Sequence, residues 1–232
     1  MTSKIDSFIS DLKTANKVTF LTGAGVSTHS GIPDYRSKNG IYHGVNMSPE
    51  IILSPDTLLH RPELFHQFVM NNMYFPDAKP NLIHQKIVQI CNQKGELITQ
   101  NIDCLDTKAG NKHVTEFHGN LYNIYCTKCH QKVAFNSYQK SYKHECGGII
   151  RPGIVLYGEG IDSQVLEHSL QAVSTSDLIV IVGTSFVVYP FAGLLNYRQA
   201  NSKVWCLNKT KIQTDIAEQI TTDALKVFQE LS

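Results

Sequence analysis

Apolar positions along this chain follow two patterns. Near its start Ile5, Phe8, Ile9 and Leu12 recur at helical spacing, which predicts a helix over residues 3 to 15 with one apolar face on a core. Beyond it the apolar residues gather in short unbroken runs: Val18 to Leu21, Leu97 to Ile98, Leu178 to Val182 and Val204 to Leu207. Runs of this kind suit strands buried on both faces, although a piece of buried helix has the same periodicity. Each run ends in a polar or glycine-containing turn, namely Gly23-Ala24-Gly25, Thr99-Gln100-Asn101-Ile102-Asp103, Gly183-Thr184-Ser185 and Asn208-Lys209-Thr210. An open parallel sheet binds ligands beyond the carboxyl ends of its strands, so these turns would share one rim. Their convergence predicts an α/β fold.

Two stretches break the pattern. Residues 121–149 cluster Cys, His and Lys around a Gly147-Gly148 pair and read as a small inserted module; residues 31–80, rich in Pro, Asn and His, read as a helical or loop insertion over the site. The main domain is then 1–120 together with 150–232.

A chain of 232 residues that is 42% hydrophobic and 18% charged can bury a sizeable core, which excludes a largely disordered protein. The net charge is +1 and the basic residues are scattered, so no nucleic-acid partner is expected. No apolar stretch reaches bilayer length, and the first residues read as part of an amphipathic helix rather than a signal peptide; no membrane partner and a cytoplasmic location are expected. Six cysteines suit metal ligands and buried thiols better than a disulfide framework, with Cys91, Cys104 and Cys206 read as thiols without chemistry.

Chemistry concentrates in the turns. Gly23 and Gly25 let the backbone approach a phosphate, as at the start of a dinucleotide fingerprint whose helix N-terminus holds a pyrophosphate, and Asp34 and Arg36 place opposite charges beyond them. A third glycine is missing, with Thr28 in its place, so a plain strand-to-helix turn reads equally well. Gln100, Asn101 and Asp103 crowd polar groups at a strand end, either as a helix cap or to fix a polar ring and a water. His118, before Gly119, is a surface or satisfied core histidine, or a neutral general base beside a sugar hydroxyl. Cys126-x-x-Cys129 is half of a zinc site and Cys146 part of the other half. Lys143 stands where a fourth cysteine is expected, so His144 or His130 completes the tetrahedron or the metal is lost; His144, beside Cys146, is the better candidate.

Taken in order, these segments resemble the sirtuins, the NAD-dependent protein lysine deacylases. Gly23-Ala24-Gly25-Val26-Ser27 with Gly31-Ile32-Pro33-Asp34-Tyr35-Arg36 is similar to the family's first signature, Tyr35 replacing phenylalanine; Thr99 to Asp103 is similar to the second and His118-Gly119 to the third. Arg151 to Glu159 looks like the substrate strand, and Gly183-Thr184-Ser185 with Val188-Tyr189-Pro190 like a nucleotide loop. Cys104 and Asp106 depart from the usual glycine and histidine.

The resemblance implies a Rossmann-like doubly wound parallel sheet with a zinc-ribbon-like module, NAD and an acyl-lysine protein or peptide meeting in the cleft between them. It assigns Gly23, Ala24, Gly25, Ser27, Asp34, Tyr35 and Arg36 to the pyrophosphate, ribose and nicotinamide cover. Gln100, Asn101 and Asp103 would order nicotinamide and its ribose, and Gly183, Thr184, Ser185 and Asn208 would line the adenosine half, with Asp223 and Ala224 near the adenine. His118 would act as base, with Asn101 and Asp103 beside it in the catalytic set, and Val155 and Tyr157 would flank the substrate lysine. Zinc would be held by Cys126, Cys129, Cys146 and His144. His66 and Val69 stand where the branch acting on acidic acyl groups carries tyrosine and arginine, so a neutral acyl group, most simply acetyl, is expected. The alternatives are an ADP-ribosyltransferase on the same scaffold and a non-catalytic NAD-sensing module.

Overall fold

A computed structural model of the chain describes residues 3–34 and 47–231. Its helices are α1 (Lys4–Thr14), α2 (Pro49–Ile52), α3 (Pro55–His60), α4 (Pro62–Asn72), α5 (Leu82–Lys94), α6 (Leu105–Lys108), α7 (Phe135–Lys140), α8 (Ser163–Ser174) and α9 (Ala224–Gln229). Its strands are β1 (Val18–Thr22), β2 (Gly95–Thr99), β3 (Val114–Glu116), β4 (Gly119–Cys126), β5 (Ile150–Ile154), β6 (Leu178–Val182), β7 (Lys203–Asn208) and β8 (Glu218–Thr221).

Six strands form one parallel sheet in the order β3-β2-β1-β6-β7-β8. The chain winds outward from β1 to one edge and then resumes at β6 on the other side, so the order reverses between β1 and β6. That doubly wound topology opens a crevice at their carboxyl ends. The unbroken apolar runs follow from cover on both faces. Leu178, Val180 and Val182 pack with α1, α5 and α9 through Phe8, Ile83, Ile87 and Phe228. The alternate residues Ile179 and Ile181 pack on the other face with Ala172 and Val173 of α8 and with Phe191 and Leu194 of the 3₁₀ segment Phe191–Tyr197. Each such side chain contributes about 1.5–3 kcal/mol on burial, which leaves no place for a polar residue along β6.

A second core lies apart from the sheet. Ile52, Leu58, Phe65, Phe68 and Val69 of α2 to α4 pack with Leu121 and Ile124 of β4, Tyr138 of α7, and Ile150 and Ile154 of β5. β4 and β5 pair antiparallel, with the register shifting between Asn120 and Ile124. The helices after residue 47 and the cysteine-bearing hairpin therefore share one hydrophobic cluster. Among the described residues, no helix is long and apolar enough to cross a membrane.

Candidate active site

The turns after β1 and β6 interlock. Gly23 donates its amide to the Val182 carbonyl at 3.2 Å, and Gly25 donates to the Gly183 carbonyl at 2.8 Å. Gly183 has φ +62°, and a Cβ on it would lie 2.7 Å from the Val26 nitrogen. A side chain at either Gly25 or Gly183 would push the two turns apart. The element after β1 differs from the helix that a dinucleotide fingerprint leads into: two 3₁₀ turns, Ala24–Val26 and Thr28–Ser30, follow it. Ser27 bonds back to the Ala24 carbonyl, and Gly31, at φ +83°, takes the left-handed conformation that ends the second turn. The amides of Gly23, Gly25, Val26 and Ser27 are all bonded within these interlocked turns, and Asn81, the N-cap of α5, donates Nδ2 to the Val26 carbonyl at 2.8 Å.

Between sheet and second core runs a cleft of about 700 Å³. It gathers most of the residues singled out in the sequence: Ala24, Gly25, Asp34, Gln100, Asn101, His118, Val155, Tyr157, Gly183, Thr184, Ser185, Asn208, Asp223 and Ala224 line it. Gly23 stands behind that wall against Thr184. Ser27 and Asp103 line a smaller adjoining pocket of about 20 Å³, shared with Ala24 and Asn101. Tyr35 and Arg36 lie outside the described residues.

Hydrogen bonds fix the polar rim. Asn208 Nδ2 donates to the Thr184 carbonyl at 2.6 Å, and Thr184 Oγ1 donates to Gln100 Oε1 at 3.1 Å. Gln100 Nε2 is buried without a partner among the described residues, a donor at the cleft wall. Asp223 caps α9 through the Leu225 amide and also accepts from His29 Nε2 at 2.9 Å, with Lys209 Nζ at 3.3 Å. Burial works against its charge, but His29, the Leu225 amide and Lys209 hold its carboxyl below the ordinary value.

Ser27 Oγ donates to Asp103 Oδ2 at 2.7 Å and accepts from Asn101 Nδ2 at 3.2 Å. Behind it stands His84, fully buried, whose Nδ1 accepts the Asn81 amide at 3.2 Å and whose Nε2 faces Ser27 Oγ at 3.5 Å. Burial lowers the His84 pKa, with Asp103 opposing. The sequence reading missed His84. The signal present was the Asn81-x-x-His84 capping spacing at the start of the apolar face Ile83, Ile87 and Val88.

His118 follows β3. Its Nδ1 lies 3.3 Å from the Gln100 carbonyl, so Nδ1 carries the proton and Nε2 keeps a lone pair. Burial lowers its pKa and the Gln100 carbonyl raises it, with a net decrease. A neutral imidazole on the cleft wall can take a proton from a bound hydroxyl. The His118 carbonyl in turn accepts the Val155 amide at 2.9 Å, and Tyr157 donates its amide to the Leu53 carbonyl at 2.9 Å.

The two positions read for acyl choice do not line the cleft. Val69 is fully buried in the second core, and His66 donates Nε2 to the Tyr138 carbonyl at 2.6 Å. The inner wall is instead apolar, with Leu53, Met73, Ile102, Ile154 and Leu156. Cys104 has a left-handed backbone, φ 63°, and burial with Glu116 nearby pushes its thiol up to about 12, so it is no nucleophile at neutral pH. Asp106 is buried, its Oδ1 without a partner among the described residues, and its carboxyl is pushed up to about 8 by burial and then by Asp103 and Glu116.

At the far end of β4, the Sγ atoms of Cys126, Cys129 and Cys146 and one ring nitrogen of His144 lie within 4.8 Å of one another. Cys126 Sγ is 3.5 Å from Cys146 Sγ, while His144 Nδ1 is 3.2 Å from Cys146 Sγ and 3.6 Å from Cys129 Sγ. His130 is not among these donors. The cluster can hold a metal ion.

The sequence profile described as the Sir2 family matches residues 23–190. The chain is 51% identical to an NAD-dependent protein deacetylase of Listeria monocytogenes, over 95% of this chain and 97% of the relative. Among solved structures, a Sir2 complex with deacetylated p53 peptide and 3'-O-acetyl ADP ribose superposes with a TM-score of 0.88 at 32% identity, covering 98% of this chain and 96% of the other. A Sir2 complex with p53 peptide and NAD+ gives 0.87 at 31% identity, covering 99% and 97%. With a profile match spanning both glycine turns and His118, and relatives alike over nearly its full length, this chain belongs to the Sir2 family.

Proposed function

We propose that the protein removes acetyl and other neutral acyl groups from protein lysines with NAD, releasing nicotinamide, free lysine and O-acyl-ADP-ribose. The observation that carries this reading is His118, a neutral imidazole that is held through Nδ1 by the Gln100 carbonyl and shares one cleft with the glycine turns and with a Gln100 amide that has no partner among the described residues. That buried donor and the close glycine turns fit a dinucleotide. When bound, NAD supplies a sugar carbon that nicotinamide leaves readily.

The chain's own groups have separable roles in this reading. Gly23, Ala24, Gly25 and Ser27 present the phosphate-facing turn, with Asp34, Tyr35 and Arg36 at its exit. Gln100, Asn101 and Asp103 hold the nicotinamide and its ribose, and Gly183, Thr184, Ser185 and Asn208 the adenosine, with Asp223 and Ala224 at the adenine. His118 takes a proton from a ribose hydroxyl, with Asn101 and Asp103 ordering the groups around it. Val155 and Tyr157, in the segment that leaves β5, flank the lysine stem while that segment adds to the peptide backbone in strand fashion. The apolar inner wall favours an uncharged acyl group, since a carboxylate would lose its water there and none of the described residues of that wall carries a cation to replace it.

In the same reading zinc is held by Cys126, Cys129, Cys146 and His144. A tetrahedral zinc–thiolate site has sulfur–sulfur edges of about 3.8 Å, near the separation of Cys126 and Cys146. The ion shapes the hairpin and takes no part in the chemistry. The division into a nucleotide-binding domain (1–120 and 150–232), a cysteine module (121–149) and an insertion (31–80) is proposed with it, as is a cytoplasmic location, which the unpaired state of all six cysteines supports. Mass spectrometry of an acetyl-lysine peptide after incubation with NAD tests the activity. Loss of the acetyl group supports the reading, and gain of ADP-ribose on a protein favours a transferase.

A further inference from the structure

The segment from Ile154 to Glu159 leaves β5 and forms one wall of the cleft. Beneath it lies Arg151, only 6% exposed, with all three of its guanidinium nitrogens hydrogen-bonded. Nη1 donates to Glu159 Oε1 at 2.6 Å, Nη2 to Glu159 Oε2 at 3.0 Å and to the Ile154 carbonyl at 2.6 Å, and Nε to the Pro152 carbonyl at 3.2 Å. Glu159 Oε2 also accepts the Leu156 amide at 2.8 Å. Between these ties the chain makes a turn: Glu159 donates its amide to the Leu156 carbonyl at 2.9 Å, and Gly158 has φ +93°. Tyr157 stands at the corner of this type II turn.

A buried ion pair contributes little net stability, because desolvation offsets most of its attraction. Its geometric effect is larger. One planar fork fixes both ends of the segment at once, and a point charge such as lysine could not do this. From the fixed segment, Val155 reaches the His118 carbonyl and Tyr157 the Leu53 carbonyl, so its shape carries to both walls of the cleft.

We propose that Arg151 and Glu159 are a positioning pair that sets the peptide-facing segment, and so governs the KM for the acyl-lysine peptide rather than that for NAD. The inference rests on the deacylase reading. Three variants test it: Glu159→Gln, Arg151→Lys, and the double variant Arg151→Met/Glu159→Gln, which leaves no lone buried charge. In each, the peptide KM rises roughly tenfold while the NAD KM stays within about twofold. Hydrogen exchange at the Leu156 and Tyr157 amides accelerates, and Arg151→Lys does not rescue either property. Equal changes in both KM values, or no change in a folded variant, overturn the proposal. Failure of the double variant to fold also overturns it, since the pair would then hold the fold rather than the segment. Deacylation by the unaltered protein is measured alongside. Its absence counts against the proposed activity, while amide exchange at Leu156 and Tyr157 still decides whether the pair shapes the segment.

Discussion

The amide of Gly25 meets the carbonyl of Gly183 at 2.8 Å, joining the turns after the two strands where the sheet order reverses. Gly183→Ala places a Cβ 2.7 Å from the Val26 nitrogen and requires φ +62° of a residue with a side chain. The expected result is a loss of about 1–3 kcal/mol of stability. A denaturant titration measures it, and a raised KM for NAD accompanies it because the phosphate-facing turn moves. An alanine variant with unchanged midpoint and KM contradicts the interlock.

Asp106 gives a stability prediction with a definite sign. Its folded pKa, about 8, lies above the ordinary carboxylate value of 3.8, so the folded protein keeps a proton that the unfolded chain gives up. Stability from this group is full below about pH 4 and is lost as pH rises toward about 8. Asp106→Asn mimics the protonated form. It should flatten thermal-unfolding midpoints over that window and exceed the unaltered protein at pH 8 by an amount on the order of a few kcal/mol. A parallel pH dependence in both proteins would contradict the assignment.

The sheet was largely legible in the sequence; the couplings across it were not. The run Leu178 to Val182 is β6 as read, and Val18 to Leu21 stops one residue short of β1, because unbroken apolar runs mark strands covered on both faces. The edge strand β8, Glu218–Thr221, has Ile220 as its single buried residue and carries no such signal. The residues assigned by the resemblance include much of the polar cleft wall but not Leu53 or Met73 of its apolar part. The resemblance did not place His84, or His29 against Asp223, whose contact joins residues 194 apart. Nor could spacing show that His66 turns to the Tyr138 carbonyl. Side-chain direction on α4 is set by the second core, built from segments far apart in the chain.

For His118, the depressed pKa sets the acid limb of the rate profile. The imidazole must be neutral to accept a proton, and burial keeps it neutral below the ordinary histidine value of 6.5. The acid limb of kcat/KM for peptide should be centred below pH 6.5. An acid limb centred above pH 6.5 contradicts a buried neutral base.

The cysteine cluster makes a compositional prediction. Elemental analysis should find one zinc ion per chain, and His144→Ala or Cys146→Ser should lose it, with unfolding of the hairpin beyond β4 and β5. His130→Ala should retain the metal. Loss of zinc from His130→Ala but not from His144→Ala contradicts the ligand set.

In the proposed reaction one imidazole serves a cleft where a dinucleotide and an acylated lysine meet. Its most direct measurement is nicotinamide released from NAD in the presence of an acetyl-lysine peptide, together with the mass of the peptide afterwards, for the unaltered protein and for His118→Ala. The first should give nicotinamide and deacetylated peptide in equal amounts, and the second a loss of deacetylated product by roughly a hundredfold or more. Equal turnover by both proteins, or none by either when both are folded and bind NAD, would contradict it.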